Sequence, residues 1–132
     1  MCSNTRERED QTPVIGYKIV YKDPKTGRYR SSVMGFLYRK DGVIPVVKVQ
    51  RRLNYNWNSD ILTSPLTFCK AHEGRTAVFT SPDVANHATR FHRLPNEVIV
   101  RVLLSKDLME GEYGDFNVIL GRRMYILEEV TI

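Results

Sequence analysis

Little in this sequence marks a function outright. Its 132 residues include two cysteines, Cys2 and Cys69, and three histidines. Neither cysteine belongs to a Cys-x-x-Cys pair or a Cys/His spacing, so no zinc motif is present and no metal is expected. Two isolated thiols suit a reduced, intracellular setting better than a disulfide framework. The apolar runs are short: Val98–Val100 and Val102–Leu104 are split by Arg101. None approaches the ~20 residues a membrane-spanning helix needs. The opening MCSNTREREDQT lacks the apolar core of a secretory signal. The expectation is a soluble intracellular protein that is not secreted and has no membrane partner.

Catalytic signatures are equally scarce. There is no Gly-x-x-x-x-Gly-Lys loop and no Gly-x-Gly-x-x-Gly turn to cradle phosphates. No Gly-x-Ser-x-Gly elbow and no His-Glu-x-x-His pair occurs. Cys69 lies three residues before His72, but closeness in sequence does not make a dyad, and an inert thiol is the simpler reading. His87-Ala88-Thr89 matches one half of a two-histidine phosphoesterase signature. That chemistry needs a second His-x-Thr/Ser triplet, so that one imidazole acts as base and the other as acid. Neither His72 nor His92 supplies it.

What is present is a globular composition, 42% hydrophobic, with a formal net charge of +5. The charge is uneven. Residues 13–60 carry ten basic and three acidic side chains, whereas residues 61–132 carry eight basic and nine acidic ones. Such an asymmetry suits a surface that faces a polyanion. Aromatics interleave with these cations: Tyr17, Tyr21, Tyr29, Phe36, Tyr38, Tyr55 and Trp57. Strand-borne aromatics flanked by positive charge can stack bases and neutralise phosphates. The same alternation also arises when aromatics fill a core and cations face water.

Local patterns give an outline of the fold. Residues 1–12 are polar without a hydrophobic period and read as a flexible tail, leaving 13–132 as one domain. Tyr17–Lys22, the turn residues Asp23-Pro24-Lys25-Thr26-Gly27 and Arg28–Met34 predict a hairpin. Residues 36–50 suggest two short strands about Lys40-Asp41-Gly42, residues 51–65 an irregular loop, and Leu66–Lys70 a short strand. Thr76–Thr80 suits a strand. Ser81 then offers an N-cap, Pro82 the first helical position and Asp83 a favourable charge at the helix start. Val84, Ala88 and Phe91 share one apolar face, predicting a helix over about 82–92. Glu97–Leu104 reads as a buried strand and 106–114 as an acidic turn. Phe116–Leu120 reads as a strand, Gly121 as a turn and 122–130 as the last strand. The sum is an α+β domain, mostly antiparallel, with one main helix.

Two resemblances follow from particular residues. The Gly74–Phe91 unit, with Thr80-Ser81-Pro82-Asp83-Val84-Ala85 after a strand, resembles part of the ADP-ribosyltransferase fold. Phe79-Thr80-Ser81 stands where transferases of the Arg-Ser-Glu type carry Ser-Thr-Ser, and Glu110-Gly111-Glu112 where they carry Glu-x-Glu. That likeness implies NAD as cofactor, with Arg28 or Arg30 on its phosphates, Ser81 supporting the pocket and Glu112 stabilising the ribosyl cation. The tyrosine expected on the strand is replaced by Val78 or Phe79. The second likeness rests on Gly16-Tyr17-Lys18-Ile19-Val20, Ser-Pro-Asp-x-Ala and Arg123–Val130. These resemble small uncharacterised proteins of large DNA viruses and phages. It implies a virus-type accessory or virion-associated protein and names no activity.

The leading expectation is a non-enzymatic binding or assembly module. Its surface would carry Arg28, Arg30, Lys48, Arg51, Arg52, Tyr55 and Trp57, and would meet protein or nucleic acid through residues 13–60. The alternative is the NAD-dependent transferase with Arg28, Ser81 and Glu112.

Overall fold

The run Glu97–Ser105 is apolar on both sides because it lies between two cores. The computed structural model describes residues 3–32, 35–46, 73–89 and 93–131. Among these, eight strands form one antiparallel sheet with one short helix: β1 (Ser3–Glu7), β2 (Val14–Lys22), β3 (Tyr29–Ser31), β4 (Thr76–Phe79), α1 (Pro82–Thr89), β5 (Glu97–Ser105), β6 (Met109–Tyr113), β7 (Phe116–Gly121) and β8 (Arg123–Val130). The spatial order is β1-β6-β7-β4-β2-β5-β8, with β3 paired to the end of β2. On β5, Val100, Val102 and Leu104 point to one face and Ile99 to the other, as the period of two requires. No helix among the described residues is long and apolar enough to cross a membrane.

The first core gathers Val20, Ile44, Val78, Val100, Val102, Leu104, Leu108 and Met124. The second lies under α1 and holds Ile19, Phe79, Ala85, Ile99, Val118 and Leu120. The helix forms where its caps predict. Ser81 Oγ accepts the Val84 N–H at 3.1 Å, which satisfies one of the free donors of the first turn. Val84 and Ala88 are half-buried against the sheet, and Ala85 is fully buried. The predicted Phe91 contact lies outside the described residues.

β7 and β8 are two halves of one run, separated by Arg122 alone. The first half pairs with β4 and β6, the second with β5. β7 and β8 thus take opposite places around β4, β2 and β5, and the sheet must curl to let one chain serve both. Gly121 makes the corner possible. A Cβ there would lie 2.7 Å from Leu104 Cγ and 3.0 Å from Leu108 Cδ2. Arg122 is then held on all sides. Its N–H donates to Lys106 O at 2.9 Å and its carbonyl accepts the Ile44 N–H at 3.2 Å. Its Nε donates to Asp107 Oδ2 at 2.7 Å. Gly16 plays a similar part between β2 and β4, where a Cβ would come 2.3 Å from Val78 Cγ2.

The hairpin is found as expected: β2 and β3 pair Val20↔Ser31, Tyr21↔Arg30 and Lys22↔Tyr29, and Gly27 turns at φ 72°. Two expectations change. Residues 3–7 form an edge strand paired antiparallel to β6, where Asn4 also donates to Glu112 at 3.1 Å and Arg6 to Glu110 at 2.9 Å. Residues 109–113 form β6, turning Met109 and Tyr113 to the helix-side core and Glu110 and Glu112 away from it. The turn expected at Gly121 is a corner, where β7 ends at a close contact and the chain passes to β8. Of the two short strands expected over 36–50, only single bridges at Leu37 and Val43 appear among the described residues. The expected loop 51–65 and strand 66–70 lie outside them.

Gly121→Ala is expected to destabilise the protein by ~1–3 kcal/mol, since the added methyl overpacks a closed core. Gly16→Ala should do the same, and combining it with Val78→Ala should cost less than the two single changes added together. Denaturant unfolding of the four variants and a double-mutant cycle measure both effects.

Candidate basic surface

The β2–β3 hairpin sorts its side chains by face. Tyr29 shares a face with Lys22 and is packed against the first core, as are Phe36 and Tyr38 from the strand-like segment that follows. Phe36 and Tyr38 meet edge to face at 5.2 Å between ring centres. Tyr17 packs against the helix-side core. Four of the aromatics that interleave with cations therefore serve the interior. Tyr21, half-buried, faces outward beside Arg30.

The cations go the other way. Lys25, Arg28, Arg30, Arg39 and Lys40 are all exposed. Arg30 bridges to Leu37, and the Tyr38 N–H donates to Tyr29 O at 3.0 Å. The chain on either side of that bond brings Arg28 and Arg39 to neighbouring positions, with Lys25 and Lys40 in the adjoining turns. Arg39 is bonded to Asp41 at 2.7 Å, and Arg30 Nη1 reaches the Gly35 carbonyl at 3.4 Å. Among the described residues, Lys25, Arg28, Arg30 and Lys40 have no carboxylate partner. Neighbouring cations on adjacent chains repel one another and add nothing to the fold. Lys25, Arg39 and Lys40 were not singled out from the sequence; their places in turns next to Gly27 and Gly42 were the available signal. Lys48, Arg51, Arg52, Tyr55 and Trp57 lie outside the described residues.

The opposite face of the hairpin carries polar contacts. Glu129 of β8 accepts hydrogen bonds from Lys22 Nζ and from Tyr29 Oη, the latter at 2.8 Å. Lys22 chiefly, then Tyr29, holds the carboxyl of Glu129 below its ordinary range. The Tyr38 hydroxyl is enclosed beside Ser31 and Thr76, both buried, and burial pushes its ionisation well above the tyrosine range.

The transferase triad is not brought together. Tyr17 pairs with Phe79, so the hairpin end of β2 runs away from Ser81. Arg28 is level with Asp23, which puts it six residues or about 20 Å along the strand direction from Phe79. Glu112 points to the face opposite Tyr113 and the helix, where Asn4 holds it. Ser81 Oγ is committed to the helix cap. Strand register accounts for the separation: three residues in the order Arg, Ser, Glu in sequence fall on two faces and at two ends of the sheet. His87 is exposed on the helix and meets Phe116 edge-on at 5.7 Å. Among the described residues, no group of three His, Cys, Asp or Glu could hold a metal ion.

Compared with family models, with curated proteins and with solved structures, the chain matches none of them.

The folded protein favours the neutral Tyr38 phenol. Its contribution is complete below the ordinary tyrosine range and declines as pH rises above ~10, where unfolded tyrosine ionises first. Tyr38→Phe should therefore unfold at a denaturant concentration less sensitive to pH above that point. Urea midpoints at neutral and alkaline pH test it. Ser81→Ala should cost ~1 kcal/mol through loss of the cap, measured in the same way.

Proposed function

We propose that the protein is a non-enzymatic binding or assembly module whose working surface is the basic face of the β2–β3 hairpin and the adjoining segment to Lys40. The observation that carries this reading is the cluster of Lys25, Arg28, Arg30 and Lys40, exposed and without carboxylate partners among the described residues. Cations gathered in this way raise the local potential and draw in an anionic partner. Lys48, Arg51 and Arg52 lie outside the described residues and join the proposal by their charge alone. A virus-type accessory or virion-associated role rests on the resemblance of Gly16–Val20 and Arg123–Val130 to small viral proteins. The NAD-dependent transferase alternative gains no support from the placement of Arg28, Ser81 and Glu112, and the binding reading expects no turnover of labelled NAD.

Retention on immobilised heparin tests the surface. The full chain should bind and elute with salt, and Arg28→Glu with Arg30→Glu should elute at clearly lower salt while melting at the same temperature. Failure to bind, or elution unchanged by both substitutions, would remove the proposal.

A further inference from the structure

Three aromatic side chains of the hairpin and the segment after it are withdrawn, leaving the half-buried Tyr21 beside Arg30, and this narrows the kind of anion the surface fits. Tyr29, Phe36 and Tyr38 are packed on the first core and offer no platform to a base. Recognition of single strands depends on such platforms. The same withdrawal takes those three rings out of reach as anchors for a protein interface, which concentrates its binding energy on aromatics, and leaves lysines, which interface cores disfavour. What the hairpin presents beside Tyr21 is chiefly charge, since Lys25, Arg28, Arg30 and Lys40 are exposed. Same-side residues on one strand stand about 7 Å apart and neighbours across a ladder about 5 Å. Charge without base contact positions a phosphate backbone but carries no sequence information.

From the proposed basic surface, on which this step rests, we infer that the partner is duplex nucleic acid, held through its phosphates by Lys25, Arg28, Arg30 and Lys40 without reading bases. Each cation that neutralises a phosphate releases a condensed counterion, so four such contacts give a log–log salt slope of about −3.6. Affinity then falls about a hundredfold between ~50 and ~200 mM salt.

Fluorescence anisotropy of the full chain with a labelled mixed-sequence duplex, a scrambled duplex and the matching single strand tests the inference. The two duplexes should bind alike, within about twofold, and more tightly than the single strand, because a duplex carries the denser phosphate charge. Arg28→Ala with Arg30→Ala should reduce the salt slope by about 2. Lys25→Ala with Lys40→Ala gives a second, independent pair that leaves β3 untouched. A more than tenfold preference between duplexes, or a single-strand preference abolished by Trp57→Ala, would overturn it in favour of base contacts. Binding to heparin but not to DNA would overturn it while leaving the basic surface in place, and point to an acidic protein. No binding to heparin or DNA would remove the underlying surface as well.

Discussion

Everything in this fold leans on the corner at Gly121 and Arg122. A single residue separates two strands that pair with different parts of the same sheet. That demand curls the sheet and creates an inside, which the valines of β5, Leu104, Leu108 and Met124 fill. The corner needs a residue without a side chain where Leu104 and Leu108 arrive, and a residue after it whose backbone and side chain are both tied down. Lys106 and Asp107 complete it. Both adopt left-handed backbone, at φ 71° and 49°, so that one offers its carbonyl and the other its carboxylate to Arg122. The strain of two such residues in succession is offset by those bonds.

The candidate surface depends on that curl at one remove. Because the sheet has a filled interior, the hairpin has an inside and an outside, and its alternating sequence is divided between them. Tyr29, Phe36 and Tyr38 go in, Arg28 and Arg30 go out. The Glu129 carboxylate, accepting from Lys22 and Tyr29, ties the hairpin to β8, so the exposed arginines ride on an anchored ribbon. An anchored positive surface loses little conformational freedom when an anion arrives.

The sequence made parts of this plain and concealed others for identifiable reasons. The hairpin was legible because Pro24 and Gly27 restrict the turn, and α1 because Ser81-Pro82-Asp83 begins helices for local reasons. β5 was legible from its β-branched run. β6 was misread because Glu110-Gly111-Glu112 looks acidic and loose, although Met109 and Tyr113 already had the spacing of an inward face. β1 was hidden because polar edge residues become a strand only when a distant partner pairs with them, here Glu110 and Glu112 more than a hundred residues away. Arg28 and Arg30 were legible as charge, but their separation from Ser81 was not. A period of two says which residues share a face, while the register of β2 on β4 decides which end they occupy.

The pairing of β2 with β5 also sets a timetable. Val14 lies opposite Leu104 and Tyr21 opposite Glu97, so this ladder joins segments made far apart in time. During synthesis at about 5–20 residues per second, β2 waits several seconds before its partner exists. Among the described residues, its partners over that interval are the three-residue β3 and, later, β4 and α1. The two cores cannot close until the last strands emerge, since Val118, Leu120 and Met124 belong to them. Core closure thus waits for β7 and β8, whereas the cationic hairpin, like α1 and the β6–β7 pair, joins neighbouring residues and needs no distant partner for its own pairing.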